Sequence, residues 1–233
     1  NFNAPKAVTR SVVVYFLRSL INENIPLNEG CLKEVKIIIP KNSILNPNFP
    51  APVVAGNVET SQMLIDILNA SLDVQAACYG TMSNVTFGDN SFGYYETICG
   101  GEGASNNNNG TDAVHCHMTN TSITDPEILE WNYPARIISF AIRRKSGGNG
   151  KWIGGNGVIR EIEFLKDLDL TILSNRRITK PFGLKGGKAG KNGRNSIKKG
   201  QKEILLKNNC GMKVREGYVL RIETPGGGGF GRN

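Results

Sequence analysis

The spacing of hydrophobic residues predicts helices in the first third of the chain. Apolar side chains recur every three or four positions in residues 4–22, where Val8, Val12 and Phe16 fall on one face of a helix. The same spacing, with Leu64, Ile67, Leu68 and Leu72 on one side, predicts a second helix over residues 59–77. The segment between them contains five prolines and one strand-like run, Val35–Ile39.

After Gly80 the pattern changes to short runs of β-forming residues separated by glycine and asparagine turns. The predicted strands are Tyr94–Ile98, Ala113–Thr119, Arg136–Arg143, Val158–Phe164, Leu168–Leu173 and Lys213–Glu223. One short helix, Pro126–Trp131, is expected to begin after Asp125 as its N-cap. The sequence therefore predicts an α+β fold, helical over residues 1–79, followed by a glycine-rich, mostly antiparallel β region over residues 80–233.

Composition excludes several classes of protein. The longest apolar run, Val12–Leu17, is far shorter than the roughly 20 residues that a membrane-spanning helix needs, so no membrane association is expected. The five cysteines are scattered and form no C-x-x-C pair, which argues against a disulfide scaffold or zinc knuckle and favours the cytoplasm. The chain starts at Asn1, without a Met or a secretory leader, which suggests a fragment or a processed product.

Positive charge is concentrated in one segment. Residues 176–215 hold 13 of the 28 Lys and Arg but only one acid, Glu203. Such a segment can attract phosphates or an acidic partner surface, but a solvated, lysine-rich loop is the favoured explanation. Nucleic-acid binding is disfavoured, because Phe182 is the only aromatic residue there on which a base could stack.

The two histidines, His115 and His117, are the first candidates for chemistry. If residues 113–119 form a strand, both imidazoles point to one face and can reach the same ion or substrate, while Cys116 points away. Two hydrogen-bonded structural histidines explain the pattern as well. The surrounding polar residues favour a pocket for a polar substrate, because burying so many without ligands is costly. These neighbours are Glu96, Thr97, Thr119, Asn120, Thr121, Thr124 and Asp125.

Glycine clusters occur at Ser146–Gly150, Gly154–Gly157, Gly183–Gly193 and Gly226–Gly229. None matches a phosphate-binding P-loop or a dinucleotide-binding G-x-G-x-x-G motif that opens a helix after a strand. The glycines are explained either by tight hairpin turns or by close backbone approach to a ligand or another chain. Homo-oligomerisation therefore stays open.

Several strings along the whole chain, taken together, resemble the hydantoinase B/oxoprolinase family. The most distinctive are Val54-Ala-Gly-Asn-Val-Glu-Thr-Ser-Gln62, Tyr94-Tyr-Glu-Thr-Ile-Cys-Gly-Gly-Glu-Gly-Ala104, His115-Cys-His-Met-Thr-Asn-Thr121 and Thr224-Pro-Gly-Gly-Gly-Gly-Phe-Gly231. The resemblance identifies residues 1–233 as the C-terminal portion of such a domain. Ser122 departs from the pattern, since the family usually has an Arg there that could hold a carboxylate.

The resemblance implies ATP-dependent opening of a small cyclic amide, such as 5-oxoproline or a hydantoin. ATP and a divalent metal would act in the complete enzyme, with neither bound by this chain alone and no metal ligand among its residues. The implied partners are an A-type ATP-binding hydantoinase subunit and the N-terminal half of the B-type protein. The expected catalytic residues are His115, His117, Glu96 and Asp125, and the expected substrate-binding residues are Thr119, Asn120, Thr121, Gly100 and Gly101. The alternative is a catalytically incomplete structural or interaction fragment of a split or decayed gene.

Overall fold

Helices form the first part of the chain in the computed structural model, which describes residues 2–21, 23–26 and 28–232. Helix α1 is Lys6–Leu20; the expected end of this helix, Asn22, lies outside the described residues. A 3₁₀ turn follows at Glu29–Leu32. A π-helical turn at Gly56–Thr60 then leads directly into α2, Ser61–Ser71. Residues 35–39, expected as a strand, lie outside the regular elements.

Helix α2 differs from the prediction in both length and buried face. It stops at Ser71 rather than at residue 77, and Asp73 just beyond it has a left-handed φ of 56°, which ends the helical path. Ile67 and Leu72, expected on the buried face, are more than half exposed. The deeply buried positions include the polar residues Gln62, Asp66 and Asn69. Polar packing of this kind is invisible to a pattern that scores only hydrophobic residues.

The rest of the described chain contains nine strands in two sheets and one short helix. The elements are β1 Asn84–Gly88, β2 Gly93–Glu96, α3 Pro126–Asn132, β3 Ala135–Ile142, β4 Val158–Phe164, β5 Leu168–Leu173, β6 Arg194–Lys199, β7 Lys202–Leu205, β8 Asn209–Val214 and β9 Val219–Glu223. The sheet orders are β2-β1-β5-β8 and β3-β4-β9-β6-β7, and neighbouring strands are antiparallel throughout. The predicted α+β class is therefore confirmed.

The core that positions these sheets is apolar and rich in aromatic residues. Phe87 on β1 packs edge to face against Phe164 on β4, with ring centroids 5.5 Å apart and an interplanar angle of 75°. Residues from β1, β4, β5 and β9 fill the interior around this pair. Strands β4 and β5 have the predicted bounds, whereas the predicted run Lys213–Glu223 is split by a turn at Gly217 into β8 and β9. Strands β1, β6 and β7 were not expected.

The prediction that residues 113–119 form a strand is wrong. Ala113 and His117 have left-handed φ angles of 52° and 53°, which break the strand's alternation of side chains. Only Val114 makes a strand-like bridge, to Gly100. The side chain of Gln62 takes the place of a neighbouring strand, accepting from the Met118 N–H at 3.2 Å and donating to the Cys116 carbonyl at 3.1 Å.

Glycine segments pack backbone against backbone beside the sheets. A Cβ added at Gly101 would lie 2.0 Å from the Gly155 carbonyl oxygen, which no side chain can tolerate. The Gly101 N–H donates to Pro225 and the Gly227 N–H donates to Gly155. At these positions glycine is required by close packing within the chain.

The helices of the described residues are too short or too polar to cross a membrane. The longest, α1, has 15 residues.

Candidate functional site

A cavity of about 930 Å³ lies between α1 and the loop of residues 115–120. Its size is that of a small-molecule pocket. Helix α1 contributes Arg10, Ser11, Tyr15 and Arg18 to its wall. The 3₁₀ turn contributes Glu29 and Leu32, and the loop contributes His117, Met118 and Asn120.

His117 is the titratable loop residue that reaches this cavity. Its Nδ1 atom lies 3.4 Å from the Tyr15 hydroxyl, and the two rings meet edge to face with centroids 5.9 Å apart. About a tenth of the imidazole side chain is exposed. Burial opposes protonation of the ring, but the electrostatic and hydrogen-bonding effects of the neighbouring Cys78 favour it, and the net effect raises the pKa of His117. The ring is thus held between the cavity and a polar interior.

Behind the imidazole lies a buried cluster of Asp66, Cys78 and His117. The His117 Nε2 atom is 3.9 Å from Asp66 Oδ1, and one ligand-type atom from each of the three residues lies within 4.8 Å of the others. Arg176 pairs with the other carboxylate oxygen of Asp66 at 3.0 Å. Burial raises the pKa of Asp66 to about 7, although Arg176 acts in the opposite direction.

Helix α2 also anchors the loop through hydrogen bonds to Thr119. The Gln62 amide donates to the Thr119 hydroxyl, and the Tyr79 hydroxyl lies 3.4 Å from the same oxygen. Thr119 is buried and does not line the cavity. The structure therefore gives Thr119 a role in fixing the loop, while Asn120, the next residue, is exposed at the cavity wall.

The other expected catalytic residues are not gathered around His117. His115 is half-buried, burial lowers its pKa, and neither ring nitrogen makes a hydrogen bond within the described residues. Glu96 pairs with the fully buried Arg160 at 3.0 Å and accepts from the Thr124 N–H. Asp125 caps α3 by accepting from the N–H groups of its first turn. Glu96 and Asp125 therefore have structural contacts of their own, and none of the three residues lines the cavity beside His117.

Of the expected substrate-binding residues, Asn120 lines the cavity, whereas Thr121, Gly100 and Gly101 make contacts elsewhere in the chain. Thr121 is exposed and shares a hydrogen bond with the Thr97 hydroxyl. A Cβ at Gly100 would lie 2.3 Å from the Tyr79 ring, and Gly101 packs on Gly155 as described above. Because the N–H groups of these glycines are bonded within the chain, they form no phosphate cradle of the kind that ATP requires.

Tyr15, Arg18, Asp66 and Cys78 were missed by sequence reasoning. The first two are spaced three residues apart on α1, so their shared helix face could have been noticed. Nothing in the sequence links residues 66, 78 and 117, because tertiary folding alone brings them together.

The hydantoinase B/oxoprolinase family matches residues 1–233, so this chain belongs to that family. It is 51% identical to 5-oxoprolinase 1 from Arabidopsis thaliana, covering 100% of this chain but 18% of that protein. The chain thus spans about a fifth of the length of that relative.

Two solved structures share the fold. The nucleotide-free structure of acetone carboxylase, from a study of ATP-dependent acetone carboxylation, has a TM-score of 0.84 and 19% identity, covering 100% of this chain and 38% of its own. The ATP-dependent caprolactamase from Pseudomonas jessenii has a TM-score of 0.80 and 24% identity, covering 94% and 42%. At these identities the likeness establishes the architecture only.

Proposed function

We propose that this chain is the B-type portion of an ATP-dependent cyclic amide hydrolase that acts on 5-oxoproline or a related lactam. The observation that carries the proposal is the position of His117, whose imidazole lies at the wall of the 930 Å³ cavity on a loop fixed by α2. An imidazole in this place can donate or accept a proton as a ring amide opens. The name of the Arabidopsis relative, 5-oxoprolinase 1, supports this substrate class.

Charge in the cavity supports a substrate that carries a carboxylate. Arg10 is paired with Glu29, but the Arg18 Nε is buried and makes no hydrogen bond within the described residues. A guanidinium binds a carboxylate well, and 5-oxoproline carries one beside its ring amide. Arg18 would therefore supply the positive charge that is missing at position 122, where this chain has Ser instead of the Arg usual in the family.

The complete reaction needs parts outside this chain. ATP would activate the amide oxygen by phosphorylation, and a divalent metal would activate the water. We assign ATP binding to an A-type partner subunit, because the glycine segments here match no nucleotide-binding motif and the N–H groups of Gly100, Gly101 and Gly227 are bonded within the chain. The N-terminal half of the B-type protein would supply the remaining wall of the site. The five free cysteines fit a cytoplasmic location.

Exposed apolar side chains fit association with those missing parts. Phe49 is 98% exposed and Trp131 is 89% exposed, which is unusual for such large side chains. They also fit the alternative function, a fragment that binds its other half without chemistry of its own. Activity measurements separate the two.

The decisive experiment replaces His117 in the reconstituted enzyme, assembled from this chain, the rest of the B-type protein and the ATP-binding partner. We expect His117→Ala to lower 5-oxoproline-dependent glutamate formation by about 100-fold or more, the effect of removing a positioned acid–base group. We expect a smaller loss from His115→Ala, because His115 does not line the cavity.

Two controls interpret the result. Lys202→Ala, an exposed change on β7, tests for general damage to the assembly and should leave turnover unchanged. Thermal melting of His117→Ala verifies that the chain is still folded. A folded His117→Ala enzyme with wild-type kinetics would contradict the proposed site, and a wild-type assembly without turnover would favour the non-catalytic alternative.

A further inference from the structure

We propose that Asp66, Cys78 and His117 form a binding site for one zinc ion, immediately behind the cavity wall. The site is not visible in the sequence, from which no metal ligand was expected in this chain. It follows from the geometry of three side chains and shares His117 with the proposed hydrolase site, where the ion would occupy Nε2 and leave Nδ1 facing Tyr15 and the cavity.

The three side chains offer the ligand types that zinc prefers. A thiolate, an imidazole nitrogen and a carboxylate oxygen are its usual protein ligands, and the thiolate disfavours magnesium and calcium. The candidate atoms lie within 4.8 Å of one another, and His117 Nε2 is 3.9 Å from Asp66 Oδ1. In a tetrahedral zinc site such atoms are about 3.3 to 3.6 Å apart, so movements of about 1 Å complete the site.

The imidazole nitrogen that faces the cluster has no other partner. His117 is some nine-tenths buried, and its Nε2 makes no hydrogen bond within the described residues. Its Nδ1 faces Tyr15 on the opposite side. In a nucleophilic Cys–His–Asp triad the two ring nitrogens would contact the Cys and the Asp separately. Here one nitrogen faces both groups, which is the arrangement of ligands around a metal.

The surroundings orient the ligands. Arg176 binds Asp66 Oδ2 at 3.0 Å, and the Cys78 N–H donates to Asp66 Oδ1 at 2.9 Å, which holds Oδ1 on the side of the imidazole. The Cys116 thiol packs beside Cys78 and is the nearest candidate for the fourth position. Partners that fix ligands in this way strengthen metal sites.

Zinc binding would form a sulfur–metal bond and release the Cys78 thiol proton to solvent. The bound ion would tie α2, the segment after it and the 115–120 loop to one point. It would also fix the His117 ring with Nδ1 directed to Tyr15 and the cavity. The ion is thus expected to close the cavity wall structurally, since its ligands are almost completely buried.

The test measures metal binding by the 233-residue chain without substrate or partner. After dialysis against metal-free buffer we expect one zinc per chain by mass spectrometry. Cobalt substituted for zinc should give a thiolate-to-metal charge-transfer band. Cys78→Ser should abolish that band and weaken zinc binding by about 100-fold or more in chelator competition, exceeding the effect of losing an outer partner.

A matched control and a second variant keep the test decisive. Cys210→Ser, on β8 in the sheet β2-β1-β5-β8, should retain both zinc and the band. If Cys78→Ser fails to fold, His117→Gln at the partly open side of the cluster serves instead and should lose zinc in the same way. A folded wild-type chain without zinc, or zinc retained by either variant, would overturn the proposal. The activity of His117→Ala in the assembled enzyme does not bear on this outcome.

Discussion

Several ionisable side chains of this protein are buried, which is unusual for charged residues. Glu59 is completely buried, and its Oε1 accepts hydrogen bonds from Thr81, Asn84 and the Met82 N–H. Its Oε2 has no hydrogen bond within the described residues. Burial raises the pKa of Glu59 to about 8, against the lowering effects of its hydrogen bonds and of Arg177. The raised pKa favours the protonated carboxyl group at neutral pH in the folded chain.

This raised pKa predicts a pH dependence of stability. Between about pH 4.5 and 8 the folded state keeps a proton that the unfolded chain has lost, so the free energy of unfolding should fall as the pH rises through this window. Glu59→Gln, which mimics the neutral group, should flatten the fall and make the variant more stable than wild type at pH 8. Urea unfolding at several pH values measures this. Parallel pH profiles for the two proteins would contradict the assignment.

Two of the candidate site residues could be predicted from the sequence, and two others could not be assigned to the site. His117 and Asn120 lie in a conspicuous polar string, and the structure places both at the cavity wall. Glu96 and Asp125 belong to that polar neighbourhood in sequence only, because Glu96 is held by Arg160 and Asp125 by α3. Their catalytic roles stay predictions, and the contacts seen here give each of them a structural reason to be present.

At the scale of elements, the sequence signal for the start of α3 was confirmed, whereas the strand predicted over residues 113–119 was wrong. Asp125 followed by Pro126 predicted the beginning of α3, and the structure confirms it. Ala113–Thr119 had the residue types of a strand, but two left-handed residues and the Gln62 side chain gave it another path. A side chain from a distant helix competes with strand pairing in a way that local propensity cannot express.

The cap of α3 yields a quantitative expectation. Asp125 Oδ1 accepts from Glu127 N–H at 2.9 Å and from Ile128 N–H at 3.4 Å. Asp125→Ala should therefore destabilise the chain by about 1 kcal/mol, while Asp125→Asn, which keeps the acceptor, should lose much less. Denaturant unfolding distinguishes the two variants. Equal stability of Asp125→Ala and wild type would show that the cap contributes little.

At the scale of the whole molecule, the chain carries a cavity at α1, and the N–H groups of Gly100, Gly101 and Gly227 are bonded within the chain. The basic segment, residues 176–215, was a candidate phosphate-binding surface, but two of its arginines make buried contacts within the chain. Arg176 pairs with the buried Asp66, and Arg177 is buried with hydrogen bonds to Ser83 and Asn195. These two guanidiniums hold the interior together and are not available to a phosphate.

We therefore expect the isolated chain to be almost inactive. With 5-oxoproline and ATP it should form glutamate at a rate near the background, and addition of the ATP-binding partner and the remaining B-type sequence should restore turnover. Coupled assays of phosphate and glutamate release measure this. Rapid turnover by the chain alone would contradict the division of labour proposed here.

The sequence by itself determined the α+β class, the order of helices before strands, the cap of α3 and the family. These features depend on local periodicity and on strings of neighbouring residues, which a single chain displays directly. Tertiary structure decided the polar face of α2, the conformation of the histidine loop and the meeting of Asp66, Cys78 and His117. It also decided that the glycines pack on one another. The physical reason is that burial and close contact depend on groups far apart in sequence, whose approach no local pattern records.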